Sequence, residues 1–162
     1  MNVIIYPDPT NPAPSRLQVV YPGGDTLEDY AFKYLEPYGI EYLIVDRDSI
    51  PNSGQISSAQ ILEIVGGSPV YGYDLNAAKD IATGINSRYW QTQYNTGLLG
   101  LSITNDFQLN LAIATPENER TADQIAAVEF LTGLNGLQND IQTQIDDATT
   151  GEELITILNQ LG

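Results

Sequence analysis

Two pairs of carboxylates are the side chains of this sequence whose spacing is compatible with chemistry. Asp46 and Asp48 flank Arg47 directly after an apolar segment that predicts a strand. Carboxylates at the end of a strand can bind a cation or act as acid and base. No third ligand group lies nearby in the sequence, so we interpret this pair as a solvated turn in which the aspartates pair with Arg47. We interpret Asp146 and Asp147 as the start of a helix–helix connection, where they hydrogen-bond local backbone amides.

Apart from these carboxylates, the sequence has few residues or motifs that could support catalysis. The chain has no histidine and no cysteine, so the usual pairs of nucleophile and base cannot be made. No Walker A, G-x-S-x-G, G-x-G-x-x-G or H-E-x-x-H motif occurs. We therefore expect a protein that is not an enzyme, with no catalytic residues, no cofactor and no metal. A carbohydrate-active enzyme is the competing class, because it would need only paired carboxylates in a cleft.

The charge of the chain limits its partners. Six basic residues face 21 acidic ones among 162 residues, for a net charge of −15. The basic residues are scattered singly, whereas phosphate backbones are held by clusters of Lys and Arg. No apolar run approaches the ~20 residues that a membrane-spanning helix needs. We expect no nucleic-acid binding and no membrane insertion, and we interpret the acidity as a source of solubility or as a surface for a basic partner.

Aromatic residues are the candidates for a partner interface. They form a loose belt along the middle of the chain: Tyr71, Tyr73, Tyr89, Trp90 and Tyr94. Such residues fill a core, stack on sugars or anchor a protein interface.

A further aromatic candidate, Phe130, lies in the C-terminal half. It stands about 100° around a helix from Leu131, which belongs to the apolar stripe, so it should point away from the helix–helix contact. We predict that Phe130 or Trp90 lies against another chain.

The N-terminal elements predict a small sheet. Val3–Tyr6, Leu17–Tyr21 and Tyr42–Val45 are apolar segments separated by Pro and Gly stops. Val3–Tyr6 should be covered on both faces. The continuous apolar run Tyr42–Val45 suggests that this segment is the central strand of the sheet. A helix over Asp25–Leu35 should cover one face of the sheet. Ile44→Asp would then bury an unpaired charge.

The rest of the chain reads mainly as helix. Ile56–Val65 is compatible with a helix or a strand, and Val70–Tyr73 with a short strand. Alternation within Leu101–Thr115 favours a strand, with a helix as the alternative. Three further helices are predicted: Asp74–Tyr94, Thr121–Ile145, and a last helix from a capping box at Thr150 and Glu153 through Leu161.

The predicted fold class is therefore α+β. A small N-terminal sheet module with a covering helix precedes a mostly helical C-terminal half. We divide the chain into an N-terminal αβ module at 1–51, a mixed middle region at 52–115 and a helical hairpin at 116–162.

Several blocks of the sequence resemble a family of small bacteriophage tail proteins commonly encoded beside tail-fibre genes. The blocks are the strand–proline segments Ile4–Pro9 and Leu17–Pro22, the helix–turn–strand Thr26–Pro51, and the closing segment Ile145–Leu154. Within Thr26–Pro51 the likeness lies in a "PY-IVD--DIP" pattern. The sequence departs from the family at Asn52–Gln60, where the family usually carries Arg and Trp.

The resemblance implies a non-enzymatic structural component of a phage tail, attached to the tail fibre or the baseplate through protein–protein contacts. The alternative is a tail-fibre assembly chaperone that is absent from the mature virion. The implied partners are other tail proteins or further copies of the chain as a homo-oligomer. The implied location is the tail of the virion, after synthesis in the host cytoplasm.

Overall fold

The structure of the protein is a computed structural model that describes residues 1–10, 15–98, 101, 103 and 105–162. It is an α+β protein with its sheets before residue 74 and mostly helices after it, as the sequence predicts. The chain divides into two compact units. The first unit is Met1–Asp80 with Thr149–Thr156, and the second unit is Ile81–Ala148 with Ile157–Gly162.

A three-stranded antiparallel sheet organises the first unit. It consists of β1 (Asn2–Pro7), β2 (Leu17–Val20) and β3 (Leu43–Asp46), in the order β2-β1-β3. The prediction that these three segments share one sheet is confirmed. The central position predicted for Tyr42–Val45 is wrong, because β1 occupies the centre and β3 lies at an edge. Successive side chains of β3 point to opposite faces, and Ile44 is 38% exposed.

The helix α1 (Leu27–Tyr34) covers one face of this sheet, which confirms the prediction for Asp25–Leu35. The side chain of Thr26 caps its N-terminus by accepting a hydrogen bond from a backbone N–H of the first turn. Ala31 on the inner side of the helix packs in one cluster with Ile4 of β1.

A β-hairpin follows the first sheet. It is built from β4 (Gln60–Val65) and β5 (Ser68–Tyr73), and a 3₁₀ turn at Gly54–Ala59 precedes it. The two-residue loop of Gly66 and Gly67 has φ values of 58° and 76°, which match a type I′ turn that requires positive φ at both positions. The open choice for Ile56–Val65 is therefore resolved as a turn followed by a strand.

This hairpin covers the second face of the sheet. Leu62 of β4 packs in one buried cluster with Val3 and Ile5 of β1. The prediction that Val3–Tyr6 is covered on both faces is confirmed. The first unit extends beyond residue 51, because the hairpin and residues 149–156 belong to it. The predicted division into 1–51, 52–115 and 116–162 stays a prediction.

The later helices have the predicted starts. Asp74 accepts a hydrogen bond from the N–H of Ala77 at 3.2 Å and caps α2 (Leu75–Leu98). α4 (Ala122–Asp147) begins at a capping box whose N-cap is Thr121. These two helices confirm the predictions for Asp74–Tyr94 and Thr121–Ile145, and each runs a few residues further than its apolar periodicity indicates.

The last helix, α5 (Gly151–Leu158), begins at the predicted capping box. The N–H of Glu153 donates to the hydroxyl of Thr150 at 3.2 Å, and the N–H of Thr150 donates to the Glu153 carboxylate at 3.3 Å. That carboxylate also accepts the backbone N–H of Thr149 at 2.6 Å. These hydrogen bonds hold the pKa of Glu153 below its ordinary value.

The strand favoured within Leu101–Thr115 is wrong. The segment forms the helix α3 (Asp106–Ala114), capped by the side chain of Asn105, which accepts the N–H of Gln108 at 2.9 Å. Alternation over only five residues also satisfies a helix that is apolar on more than one face, so the pattern did not discriminate. Residues 102 and 104 of the predicted segment lie outside the described residues.

The difference between Ile4 and Ile44 can be tested directly. The two isoleucines are cross-strand partners, but Ile4 is completely buried and Ile44 is 38% exposed. We expect Ile4→Ala to lower the free energy of unfolding by about 2–5 kcal/mol, and Ile44→Ala by under about 1 kcal/mol. Ile44→Asp should fold, contrary to the expectation from the sequence. Urea unfolding followed by circular dichroism measures the free energy of unfolding of each variant. Equal losses for Ile4→Ala and Ile44→Ala would contradict the assignment of β1 as the buried strand.

Candidate partner-binding surfaces

The carboxylate pair after β3 has a local structural role. Asp46 accepts the backbone N–H of Asp48 at 3.0 Å and the amino group of Met1 at 3.2 Å, and these contacts lower the pKa of Asp46. Arg47 does not pair with its neighbouring aspartates as the sequence analysis expected. Its guanidinium carbon lies 5.7 Å from the centre of the Tyr21 ring. Among the described residues, no group of three or more acidic side chains could hold a metal ion.

The second pair, Asp146 and Asp147, lies at the end of α4 rather than in the connection. Asp146 accepts a hydrogen bond from the side chain of Gln142 at 2.9 Å. The backbone amides of the connection bond instead to the carboxylate of Glu153. A carboxylate inside the next helix thus bonds to the amides of Thr149 and Thr150. The expectation that Asp146 and Asp147 hydrogen-bond local backbone amides stays a prediction.

The two tyrosines of β5 belong to the first unit and are used inside it. Tyr71 packs on the cluster around Leu62, and burial raises its pKa. The ring of Tyr73 lies so close to Gly151 that a Cβ at that position would overlap it. Both side chains are only half-buried, but these contacts give each one a partner within its own chain.

The aromatic residues of α2 lie in the second unit. Tyr89 and Trp90 form an edge-to-face pair with ring centres 4.8 Å apart. Trp90 and Tyr94 line a shallow groove of about 230 Å³ between α2 and α4. The hydroxyl of Tyr94 donates to the carboxylate of Asp106 at 3.0 Å. The structure thus brings Tyr89, Trp90 and Tyr94 together. The other two residues of the predicted aromatic belt, Tyr71 and Tyr73, belong to the first unit.

A buried amide fixes the position of Trp90. Asn86 is 1% exposed, and its side-chain oxygen accepts the indole N–H of Trp90 at 2.7 Å. Its amide nitrogen donates to the carbonyl of Gln138 at 3.3 Å and to the side chain of Gln142 at 3.2 Å. The hydrogen-bonding capacity of this polar residue is thus met between α2 and α4.

Phe130 does not point away from its own chain. Its ring lies on Gly97 of α2, where a Cβ would overlap three ring atoms. The approach is possible because glycine leaves room for the ring. Helix α2 therefore covers part of the Phe130 ring within its own chain. The expectation that Phe130 points away from the contact between α4 and the last helix stays a prediction. Whether Trp90 or the half-buried remainder of Phe130 also contacts a partner stays a prediction.

An apolar surface that the sequence analysis did not single out lies on α3. Phe107 is 77%, Leu111 52% and Ile113 47% exposed. Leu109 and Ala112, on the inner side of the same helix, are buried in a cluster with α4. The spacing of four residues between Phe107 and Leu111 could have indicated this surface, because residues four apart share one side of a helix. The prediction of a strand in this segment hid that signal.

Arg120 holds the end of α3 in place. Its Nε donates to the carbonyls of Ala112 at 2.9 Å and of Thr115 at 3.0 Å, and one terminal nitrogen donates to that of Ile113 at 3.2 Å. These carbonyls at the C-terminus of a helix lack intrahelical partners and carry partial negative charge. A basic residue next to the apolar surface of α3 is thus engaged within the chain.

A comparison of the chain with protein-family models, with curated proteins and with solved structures gives no match. Within the described ranges, none of the helices combines the length and the apolar character that crossing a membrane requires.

The contact between Gly97 and Phe130 predicts opposite effects for two glycine substitutions in α2. Gly97→Ala should lower the free energy of unfolding by about 1–3 kcal/mol, because the new methyl group overpacks the ring. Gly84→Ala, where a Cβ meets nothing within 4 Å, should raise stability by up to about 1 kcal/mol. Thermal unfolding measures both. Phe130→Leu should reduce the effect of Gly97→Ala, and equal effects of the two glycine substitutions would contradict the contact.

The buried amide gives a second prediction for α2. Asn86→Ala should cost about 1–3 kcal/mol, because it leaves the indole N–H of Trp90 without its acceptor. Asn95→Ala is the matched control, since Asn95 is exposed and its side chain accepts a hydrogen bond from the side chain of Gln91. Urea unfolding can be followed by the fluorescence of Trp90, the single tryptophan of the chain. A cost for Asn86→Ala no larger than for Asn95→Ala would show that the network does not stabilise the helix pair.

Proposed function

We propose that the protein is a non-enzymatic structural component of a bacteriophage tail, attached to the tail fibre or the baseplate through protein–protein contacts. The resemblance of Thr26–Pro51 to small tail proteins supports the tail association. The exposed apolar surface of α3 is the observation that carries the docking role.

The apolar side chains of α3 are only partly buried. A helix whose apolar residues surround it is normally buried on all sides. In α3 the inner face is covered, while Phe107 and Leu111 remain mostly in water. Exposed apolar side chains that lie next to each other can form an interaction surface. A partner that covers this surface would bury both side chains together.

The charge around α3 indicates the nature of that partner. Asp106 lies at the start of the helix, and Glu117 and Glu119 follow its end, whereas Arg120 is engaged with the carbonyls of α3. An apolar centre with an acidic rim is complementary to an apolar surface with a basic rim. A tail protein with such a surface is the partner that we infer.

Mass spectrometry of purified phage particles tests the proposal. We expect the chain to be present at a constant copy number per particle. Phe107→Ser should fold and be lost from the particles, because it removes the centre of the docking surface. Phe32→Ser is the matched control, since Phe32 is 70% exposed but lies on α1, and it should be retained.

The alternative function has its own outcome in the same experiment. A tail-fibre assembly chaperone would be present in assembly intermediates and absent from mature particles, and that result would replace the proposal. Absence from both particles and intermediates would contradict a tail role altogether. Retention of Phe107→Ser in particles would show that α3 is not the docking surface.

A further inference from the structure

One tyrosine lines two grooves of the first unit. The larger, about 730 Å³, runs between Arg47 and the turn around Asn52 and Ser57. The smaller, about 530 Å³, lies against Tyr30 and Tyr34. Tyr21, which is 50% exposed, lines both of them. We call the two grooves together the Tyr21 track.

Part of the lining of the larger groove is polar and fixed. Ser53 is 6% and Gln60 4% exposed, although both line a groove. The hydroxyl of Ser53 donates to the side-chain oxygen of Gln60 at 3.2 Å, and the Gln60 nitrogen donates to the carbonyl of Pro51 at 3.3 Å. Both side chains can make a further hydrogen bond. The amide nitrogen of Gln60 has a second N–H to donate, and the hydroxyl of Ser53 can also accept. The lining therefore includes neutral polar side chains that are already ordered by hydrogen bonds.

The rim adds donors and an aromatic surface. The amide oxygen of Asn52 accepts the N–H of Gly54 at 3.0 Å, which orients its nitrogen as a donor. Arg47 forms no ion pair within the described residues, even though aspartates flank it. Its guanidinium instead lies against the ring of Tyr21 in the larger groove. A guanidinium held by an aromatic ring keeps its N–H donors for an external acceptor.

We propose that the Tyr21 track binds a neutral oligosaccharide. A sugar ring has an apolar C–H surface and a rim of hydroxyl groups. The exposed tyrosine rings match the C–H surface, and the neutral amides and hydroxyls of the larger groove match the rim. The volume of the larger groove is in the range of sites that hold a small ligand, so it suits one or a few sugar rings. This inference goes beyond the proposed tail role and does not depend on it.

The charges of the track select against other ligands. Asp25 and Asp48 line it together with a single cation, Arg47, in a chain of net charge −15, so an acidic ligand would be repelled. A basic peptide would meet the guanidinium of Arg47 in the larger groove. Hydroxyl oxygens of a neutral sugar can accept from Arg47 and can also donate to the carboxylates, so they satisfy both signs.

Titration with defined sugars tests the proposal. The probes are maltohexaose, cellohexaose, chitohexaose and mannohexaose, each added to the full chain up to about 10 mM. Isothermal calorimetry gives the affinity, and the side-chain amide signals of Asn52 and Gln60 in a ¹⁵N spectrum report the location. We expect at least one probe to bind saturably and to shift both signals. A decaproline peptide is the competing probe, since aromatic-lined grooves also bind extended proline chains.

Matched variants locate the binding. Tyr21→Ala should weaken the affinity roughly tenfold, because the stacking surface is lost. Arg47→Gln should weaken it less. Tyr38→Ala is the control, since Tyr38 is 77% exposed but lines neither groove, and it should bind as the unmodified chain does. Failure of all four sugars, binding that Tyr21→Ala does not change, or binding of decaproline alone would overturn the proposal.

Discussion

The burial of β1 on both faces is the constraint on which the first unit depends. Val3, Ile4 and Ile5 have no exposed surface. Because successive side chains of a strand point to opposite faces, three consecutive buried residues require a layer on each side. Helix α1 supplies one layer and the β4–β5 hairpin the other. The turn Gly54–Ala59, which leads into that hairpin, is thereby brought beside the end of β2 and forms a wall of the Tyr21 track.

Close approach of helices has the corresponding role in the second unit. Small residues allow it: Ala127 and Ala112 are completely buried, and Gly97 accommodates the ring of Phe130. The buried amide of Asn86 then favours one register, since any other alignment of α2 and α4 would leave it without partners. Part of the aromatic surface that looked available in the sequence is used by these contacts. The apolar surface of α3 remains open.

The few basic residues act mainly within the chain. Arg16 pairs with Asp74 at 2.8 Å in a half-buried ion pair, and Lys33 pairs with Asp25 at 2.8 Å on the surface. Arg120 binds the end of α3. This distribution leaves the outer surface predominantly acidic, so the surface repels acidic molecules and attracts basic ones. It also makes Arg47 distinctive, since its contact in the structure is an aromatic ring.

Local chemistry in the sequence determined the elements. Proline and glycine stops fixed the three strands of the sheet, and the capping residues Asp74 and Thr150 fixed the starts of two helices, because these signals act over a few residues. The α+β class followed from their order along the chain. The central position of β1 could not be predicted in the same way. An edge strand can be as apolar as a central strand when a second sheet covers it, and the sequence did not indicate that second sheet.

The tertiary structure alone decided which aromatic residues are covered. Phe130 and Tyr73 rest on Gly97 and Gly151, which lie far from them in the sequence, and no periodicity within one helix or strand predicts such a contact. The same holds for the Tyr21 track, whose residues come from β2, the turn after β3 and the segment before β4. Secondary structure depends on neighbours along the chain, whereas exposure and grooves depend on which elements pack together, and that is settled only by the complete fold.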